Sequence, residues 1–314
     1  MFPTTMKAVR IQNYGGPANL KLEMVPCPGP GNGEVLVRIH AAGVNPVDWK
    51  IREGYLKDAI HHTLPLIPGW DFSGVVEATG PGANRFRTGT EVFGRPDLAR
   101  DGTYAEYIVV RETEIANKPK NVDHIHAASI PLAGLTAWQA LFDTAGLSGG
   151  EKVLIHAAAG GVGCMAVQLA KWKGATVIGT CSTRNLGFVR EMGCAEAIDY
   201  KTTRFEDVVH DVDVVFDTMG GDTQRRSWNT LRKGGVLVSI VNPPNPQEAD
   251  AHSVRQTFAM VQPNAAQLTE LARLVDTDKL RAIVDTVLPL AEARRAQELS
   301  QAGHTRGKII LRII

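Results

Sequence analysis

The run Val153-Leu154-Ile155-His156 passes straight into Ala157-Ala158-Ala159-Gly160-Gly161-Val162-Gly163, and a helix-forming stretch from Cys164 to Lys173 follows. Strand, small-residue turn and helix in that order aim backbone N–H groups and the positive end of a helix at one spot. Such a spot can hold a pyrophosphate, and residues without bulky side chains let the phosphates approach. The spacing is Ala158-x-Gly160-x-x-Gly163, with Gly161 and Val162 completing the turn and alanine where the dinucleotide fingerprint has its first glycine. A plain glycine-rich strand–helix connection is the alternative reading.

About twenty residues beyond such a fingerprint, a site built for NAD places a carboxylate at the end of the second strand, to accept from the ribose 2′-OH. Here the strand Thr176-Val177-Ile178-Gly179-Thr180 runs into Cys181-Ser182-Thr183-Arg184, with no acid. A hydroxyl and a planar guanidinium suit a 2′-phosphate instead, so Ser182 and Arg184 favour NADPH over NADH. The competing reading has Ser182 and Thr183 capping a helix that starts near Asn185, with Arg184 on its solvated face.

These residues need a scaffold. Between Met6 and about Val122 the chain shows short β-like runs broken by Gly and Pro: Lys7 to Ile11, Val35 to Ala42, Gly74 to Thr79, Glu91 to Gly94 and Tyr104 to Val110. From about Asp123, helical segments alternate with the apolar strands Val153–His156, Thr176–Thr180, Val212–Asp217 and Gly235–Val241, the texture of βαβ units and a parallel sheet. Val241 to Asn264, rich in Pro, Asn and polar residues, reads as a loop or lid. The tail, Ala282 to Ile314, offers a short helix over Leu290–Gln301 and a final strand, and is expected to fold back onto the first unit.

With 314 residues, two domains are expected, and the charged fraction of 21% is that of an ordinary globular protein. A net charge of +1 without a basic arm argues against nucleic acid as a partner. Cys27, Cys164, Cys181 and Cys194 show no metal-ligand spacing and read as buried thiols of a reducing compartment. With no apolar signal core and no uncharged stretch near the ~20 residues that cross a bilayer, the expected location is the cytoplasm, away from membranes. The adjacent His61 and His62 read as surface residues.

Several motifs together resemble the medium-chain dehydrogenase/reductase superfamily, and within it the zinc-independent quinone oxidoreductase, or zeta-crystallin-like, and alkenal/one oxidoreductase branch. They are Asn45-Pro46-Val47-Asp48-Trp49-Lys50, Pro68-Gly69-Trp70-Asp71-Phe72-Ser73-Gly74, Pro131-Leu132-Ala133-Gly134-Leu135-Thr136-Ala137, the Ala-Ala-Gly-Gly-Val-Gly turn and the closing Gly307-Lys308-Ile309. The resemblance implies an α/β fold class: a GroES-like β-barrel domain (1–122 and 283–314) plus a doubly wound parallel Rossmann domain (123–282). Zinc-dependent members carry Cys where this chain has Asn45 and His where it has Trp70, and the stretch matching their cysteine cluster, Phe86 to Arg111, has no Cys. A zinc site is therefore not expected.

The same resemblance places Asn45 and Lys50 near nicotinamide and substrate, with Asp48 beside them. Hydride addition to an enone builds enolate charge on oxygen, which the Lys50 ammonium could stabilise; cofactor ribose is its other possible target, and a solvated lysine the bland reading. Asp48 stands between a direct role and a structural one. Thr136 either caps its helix or faces the nicotinamide. Tyr200 is either a boundary aromatic or a neighbour of the adenosine 2′-phosphate, and the strand end Ser239 to Val241 should pass the nicotinamide amide with its backbone. Tyr55 fits a substrate-cleft tyrosine, and equally the proton-donating tyrosine of an enoyl-thioester reductase. The leading expectation is an NADPH-dependent reductase of a small quinone or α,β-unsaturated carbonyl. The alternatives are an enoyl-thioester reductase and an NADPH-binding protein with a sensing or partner-binding role. A homodimer is compatible with the resemblance.

Overall fold

The computed structural model describes residues 2–314, which form two compact units. The first comprises Met1–Leu132, Gln262–Asp278 and Ala282–Ile314, and the second Ala133–Val261 with Lys279–Arg281. Relative to the boundaries expected at 122/123 and 282/283, the first unit also takes in residues 123–132 and the segment 262–278. The sequence texture misplaces that segment because it is helical, whereas the first unit is otherwise mostly β. Its helix packs against a short strand at Ile115–Asn117 in the first unit.

In the first unit, β1 (Thr5–Ile11) and β2 (Leu20–Pro26) form an antiparallel pair. A larger sheet is organised around β3 (Glu34–Val44). One edge of β3 pairs with β4 (Phe72–Thr79), which continues to β5 (Glu91–Gly94). Its other edge is shared: Glu34–Arg38 pairs with β6 (Tyr107–Arg111), and Ala41–Val44 with the C-terminal strand Lys308–Arg312. The tail thus returns to the first unit, as its apolar run suggests. Alternation along β3 divides its side chains between two cores: Val35, Val37 and Ile39 enter one, whereas Ala42 and Val44 enter another with Ile51 and Trp70. Strand β5 pairs in turn with β7 (Ile115–Asn117).

Helix α1 (Pro46–Arg52) follows β3 directly, with proline pre-set at its first turn. Arg52 at its end is fully buried and donates from Nη1 to Gln297 Oε1 at 2.8 Å, which ties α1 to a C-terminal helix, Ala293–Ala302. His62, expected on the surface, is instead buried, with Nε2 2.7 Å from the Leu98 carbonyl and its ring beside Trp70. The chain here is irregular, so the divergence of adjacent side chains on a regular element does not apply. Cys164, Cys181 and Cys194 are buried and Cys27 partly so, all as free thiols.

Helix α2 (His124–Ala127) belongs to the first unit and α3 (Pro131–Trp138) runs across the boundary; the second unit is built on a six-stranded parallel sheet. Its strands are β8 (Lys152–Ile155), β9 (Thr176–Cys181), β10 (Glu196–Asp199), β11 (Val212–Asp217), β12 (Leu231–Ser239) and β13 (Arg255–Phe258). The order β10-β9-β8-β11-β12-β13 is the doubly wound 3-2-1-4-5-6 arrangement. Helices α4 (Gly161–Lys173), α5 (Leu186–Met192), α6 (Gly221–Ser227) and α7 (Pro246–His252) connect the strands. The central strands read as unbroken apolar runs, Val153-Leu154-Ile155 and Val214-Val215-Phe216, because both faces are covered. The stretch Val241–Asn264 is not a loop: it holds α7 and the edge strand β13. That strand, Arg255-Gln256-Thr257-Phe258, is short and mostly polar, so it carries no apolar signal. Among the described residues no helix is long and apolar enough to cross a membrane.

Candidate active site

Within the first unit, Asn45 is the N-cap of α1, and Asp48, three residues on, reaches back to accept from the Asn45 backbone N–H at 2.8 Å. The Asn45 side chain is engaged elsewhere. Its Nδ2 donates to Asp71 Oδ2 at 2.8 Å, and its Oδ1 accepts from the ammonium of Lys308. Lys308 Nζ also donates to the Val44 carbonyl at 2.9 Å and to Asp71 Oδ2 at 3.0 Å, so all three of its protons have acceptors. The other oxygen of Asp71 accepts from the Leu132 N–H at 2.6 Å. Asp71 is fully buried, and Lys308 is 4% exposed.

Asp48 belongs to the same buried cluster. Its Oδ2 accepts from the Tyr104 hydroxyl at 2.8 Å, while its Oδ1 has no hydrogen-bond partner. Burial pushes the Asp48 carboxyl up to about 7, against the opposing pull of the Asn45 N–H, Tyr104 and Lys308. Tyr104, itself fully buried beside Asp48, is held well above the usual phenol range.

Lys50 lies further along α1, half-buried, and burial lowers its pKa from the ordinary lysine value. Its ammonium sits 5.8 Å from the centroid of the Trp49 ring, and among the described residues no carboxylate pairs with it. Tyr55 meets the same ring edge-on at 6.2 Å and is 68% exposed. The structure therefore brings Asn45 and Asp48 into one hydrogen-bonded cluster, and sets Lys50 and Tyr55 around Trp49.

In the second unit the strand–turn–helix geometry is present as the spacing predicts. Ala157 takes a left-handed φ of 47°, so the tight turn falls one residue before the fingerprint position occupied by Ala158. The Ala158 methyl is accommodated by Gly179 on β9, where an added Cβ would lie 2.8 Å from it. Gly160 caps α4, and Gly163 lets the helix close on the turn: a Cβ there would meet the Ala157 carbonyl oxygen at 2.2 Å. Gly160, Gly161 and Val162 are each partly exposed, leaving the start of α4 accessible to a ligand.

Beneath this turn, polar side chains tie the strand ends together. His156 contacts Thr180 Oγ1 at 3.0 Å and Ser227 Oγ at 2.8 Å, and burial lowers its pKa to about 4. Asp217 accepts from the N–H groups of Met219 and Gly220, from Gln224 and from the Ser239 hydroxyl. The Ser239 side chain is thus fully buried and structural, and its Oγ accepts in turn from the Val241 N–H at 3.2 Å. Thr136 is buried on α3.

Ser182, Arg184 and Tyr200 come together at the ends of β9 and β10, where Asp199 pairs with Cys181 and the Tyr200 N–H donates to the Cys181 carbonyl at 3.2 Å. Arg184 is exposed and Tyr200 is 56% exposed. Ser182 makes no side-chain cap; its Oγ accepts from Asn185 Nδ2 at 3.2 Å. The β9 end has no acid of its own, but Asp199 reaches the same place from the neighbouring strand. Its oxygens are taken by the Thr183 hydroxyl at 2.6 Å and the Lys201 N–H at 3.0 Å, and the Thr183 bond holds its pKa below the usual carboxylate range. Asp199 therefore fixes the Ser182–Arg184 turn.

Asp71, Tyr104, Lys308 and Asp199 are residues the sequence reading leaves without a role. Asp71 and Lys308 stand inside two of the motifs that carry the family resemblance, and that position was the available signal. Tyr104 and Asp199 had none beyond polar residues at the end of an apolar run.

Residues 31–120 match the alcohol dehydrogenase GroES-like domain family, and residues 192–311 match the zinc-binding dehydrogenase family. The chain is 35% identical to a chloroplastic quinone-oxidoreductase homolog of Spinacia oleracea, over 98% of each chain. It is 32% identical to a mitochondrial NAD(P)H oxidoreductase of Mus musculus, over 99% of this chain and 90% of that one. The solved quinone oxidoreductase of Coxiella burnetii superposes with a TM-score of 0.91 at 37% identity, covering 99% of this chain and 100% of the other. With a GroES-like first unit, a Rossmann second unit and full-length relatives of this kind, the chain belongs to the medium-chain dehydrogenase/reductase superfamily, in its quinone oxidoreductase branch, and is an oxidoreductase of the nicotinamide-cofactor class.

Proposed function

We propose that the protein is a zinc-independent, NADPH-dependent reductase of small quinones or α,β-unsaturated carbonyls. The observation that carries this reading is the Lys50 ammonium, half-buried on α1 and paired with no carboxylate among the described residues, on the helix that Asn45 caps. A cation placed this way stabilises negative charge that builds on an acceptor oxygen as hydride arrives at carbon. The nicotinamide supplies that hydride when bound. The residues fit a dinucleotide: the start of α4 and the Gly160–Gly163 turn would hold the pyrophosphate, and Ser182, Arg184 and Tyr200 the 2′-phosphate.

The residues do not fit zinc. The Asn45 amide oxygen faces an ammonium, Trp70 has no lone pair to offer and points its indole N–H at the Arg100 carbonyl, 3.3 Å away. Among the described residues no cluster of three His, Cys, Asp or Glu side chains could hold a metal. The zinc-binding dehydrogenase match thus reflects the shared fold. The expected cytoplasmic location remains part of this proposal, since two relatives carry chloroplastic and mitochondrial names.

The test is NADPH oxidation by purified protein against 1,4-quinones, free enones and enoyl-coenzyme A thioesters, with metal analysis of the same sample. Turnover of quinones or enones, insensitive to chelator, is expected. Turnover of the thioesters alone would assign an enoyl-thioester reductase, binding without turnover of any acceptor would assign a cofactor-sensing protein, and one tightly held zinc per chain would defeat the metal-free reading.

A further inference from the structure

The arrangement around Asn45 has more order than anchoring a loop requires. An ammonium can only donate and a carboxylate at Asp71 can only accept, so the Asn45 amide has one possible orientation, with Oδ1 on Lys308 and Nδ2 on Asp71. Nδ2 carries two protons. One goes to Asp71, and among the described residues no group accepts the other. Meanwhile the amide oxygen is bonded to a buried cation. Electron density drawn toward that oxygen leaves the nitrogen poorer, and hydrogen bonds in such a chain strengthen one another in a low-dielectric setting.

We propose that Lys308 is a positioning and polarising residue for the reaction: its ammonium orients the Asn45 carboxamide and makes its remaining Nδ2 proton a strengthened donor to the oxygen of a quinone or enone. This rests on the proposed reductase reading and deepens it. Asp71 neutralises the ammonium and fixes the amide's other end, so the clamp brings a cation to the amide oxygen without exposing it to water, and Val44 takes the last Lys308 proton. Lys308 touches neither substrate nor cofactor in this scheme; Asn45 does. The electron pair that reaches the acceptor oxygen on hydride addition is met by the Asn45 N–H.

The experiment compares wild type, Asn45→Ala, Lys308→Arg and the charge-balanced double variant Lys308→Met/Asp71→Asn, which leaves no unpaired buried charge. kcat and kcat/KM are measured for a series of para-substituted aryl enones, together with the dissociation constant of NADPH and the melting temperature. In the double variant kcat should fall roughly tenfold or more, NADPH affinity should stay near the wild-type value, and the dependence of log kcat on substituent electron demand should steepen. Lys308→Arg should recover part of the loss. Adding Asn45→Ala to the double variant should cost little further. In 15N-asparagine-labelled protein without substrate, the Asn45 side-chain amide protons should lie downfield in the wild type and return toward ordinary positions in the double variant, a readout that does not depend on turnover. An unchanged substituent slope, strictly additive losses, or amide shifts indifferent to Lys308 would overturn the proposal. Full activity of Asn45→Ala on every acceptor would likewise overturn it, whereas a wild type that reduced none would sink the reductase reading behind it instead.

Discussion

At the end of β9, Ser182 and Arg184 are the side chains proposed to meet a 2′-phosphate, and Asp199 is the one that holds their turn in place. Ser182 and Arg184 stood out because a missing carboxylate and a nearby guanidinium both point to a 2′-phosphate. Asp199 did not, because its action goes through Thr183, 16 positions away and on the next strand. Two substitutions separate the roles. Arg184→Ala should weaken NADPH roughly tenfold or more, since a charge-assisted contact to phosphate contributes about 1.5 to 3 kcal/mol, and should leave NADH nearly unchanged. Equal loss for both cofactors, measured by fluorescence titration, would make Arg184 structural. Lys50→Met should lower kcat and kcat/KM for enones together while NADPH affinity holds, the pattern of an interaction made in the transition state. If NADPH affinity falls instead, Lys50 serves the cofactor ribose. Quinones are the control, because they accept electrons without one well-placed donor, so loss confined to enones supports the enolate role.

Elements were legible where their pattern was local. β5 was read to the residue from Glu91 to Gly94, and the order strand, turn, helix around Gly160 followed from spacing alone. β2, β7, β10 and β13 were missed, being short, partly exposed or polar, and stabilised by pairing with neighbours that no local window of sequence contains. The β8–α4 junction also shows what a fingerprint glycine does. At Gly163 the missing side chain is what lets α4 start against the Ala157 carbonyl, whereas the absent glycine at Ala158 is tolerated because Gly179 yields the space. Gly163→Ala should therefore push α4 off the turn, at a cost of about 1 to 3 kcal/mol in stability. NADPH and NADH binding should weaken together, because the pyrophosphate is common to both. Calorimetry and parallel titrations check this, and a selective loss of NADPH would show that the start of α4 is not where the pyrophosphate sits.

For the whole molecule, two buried histidines, one in each unit, and the buried Asp48 respond to acid in opposite directions. His156, in the second unit, is buried with Asp217, Arg226 and Glu206 around it, and its pKa is lowered to about 4. In the first unit burial lowers His124 to about 4 as well, helped by the stacked His40 and by Lys118 and opposed by Glu91. Each favours the neutral imidazole when folded, so its contribution is complete above the unfolded pKa near 6.5 and is lost as pH falls from there toward 4. Asp48 has the reverse sign. Its carboxyl is raised from 3.8 to about 7, so its contribution is complete below 3.8 and is lost as pH rises through 7. Over the full window that linkage amounts to about 4 kcal/mol as an order of magnitude. Between pH 4 and 6.5 the two histidines outweigh the single Asp48, so the stability of the wild type should still rise with pH there, but by only about half of what the histidines alone would give. Asp48→Asn removes one side of the balance while keeping an oxygen able to accept from the Asn45 N–H and Tyr104. Its absolute stability depends on how the new amide group is met at the site of the unpartnered Oδ1, but the pH trend does not. Relative to wild type, the variant should gain stability as pH rises from 5 to 8 and lose stability more steeply than wild type as pH falls from 6.5 to 4, as read by urea denaturation at each pH. A stability difference between the two proteins that stays constant from pH 5 to 8 would mean that Asp48 titrates as an ordinary carboxylate in the fold.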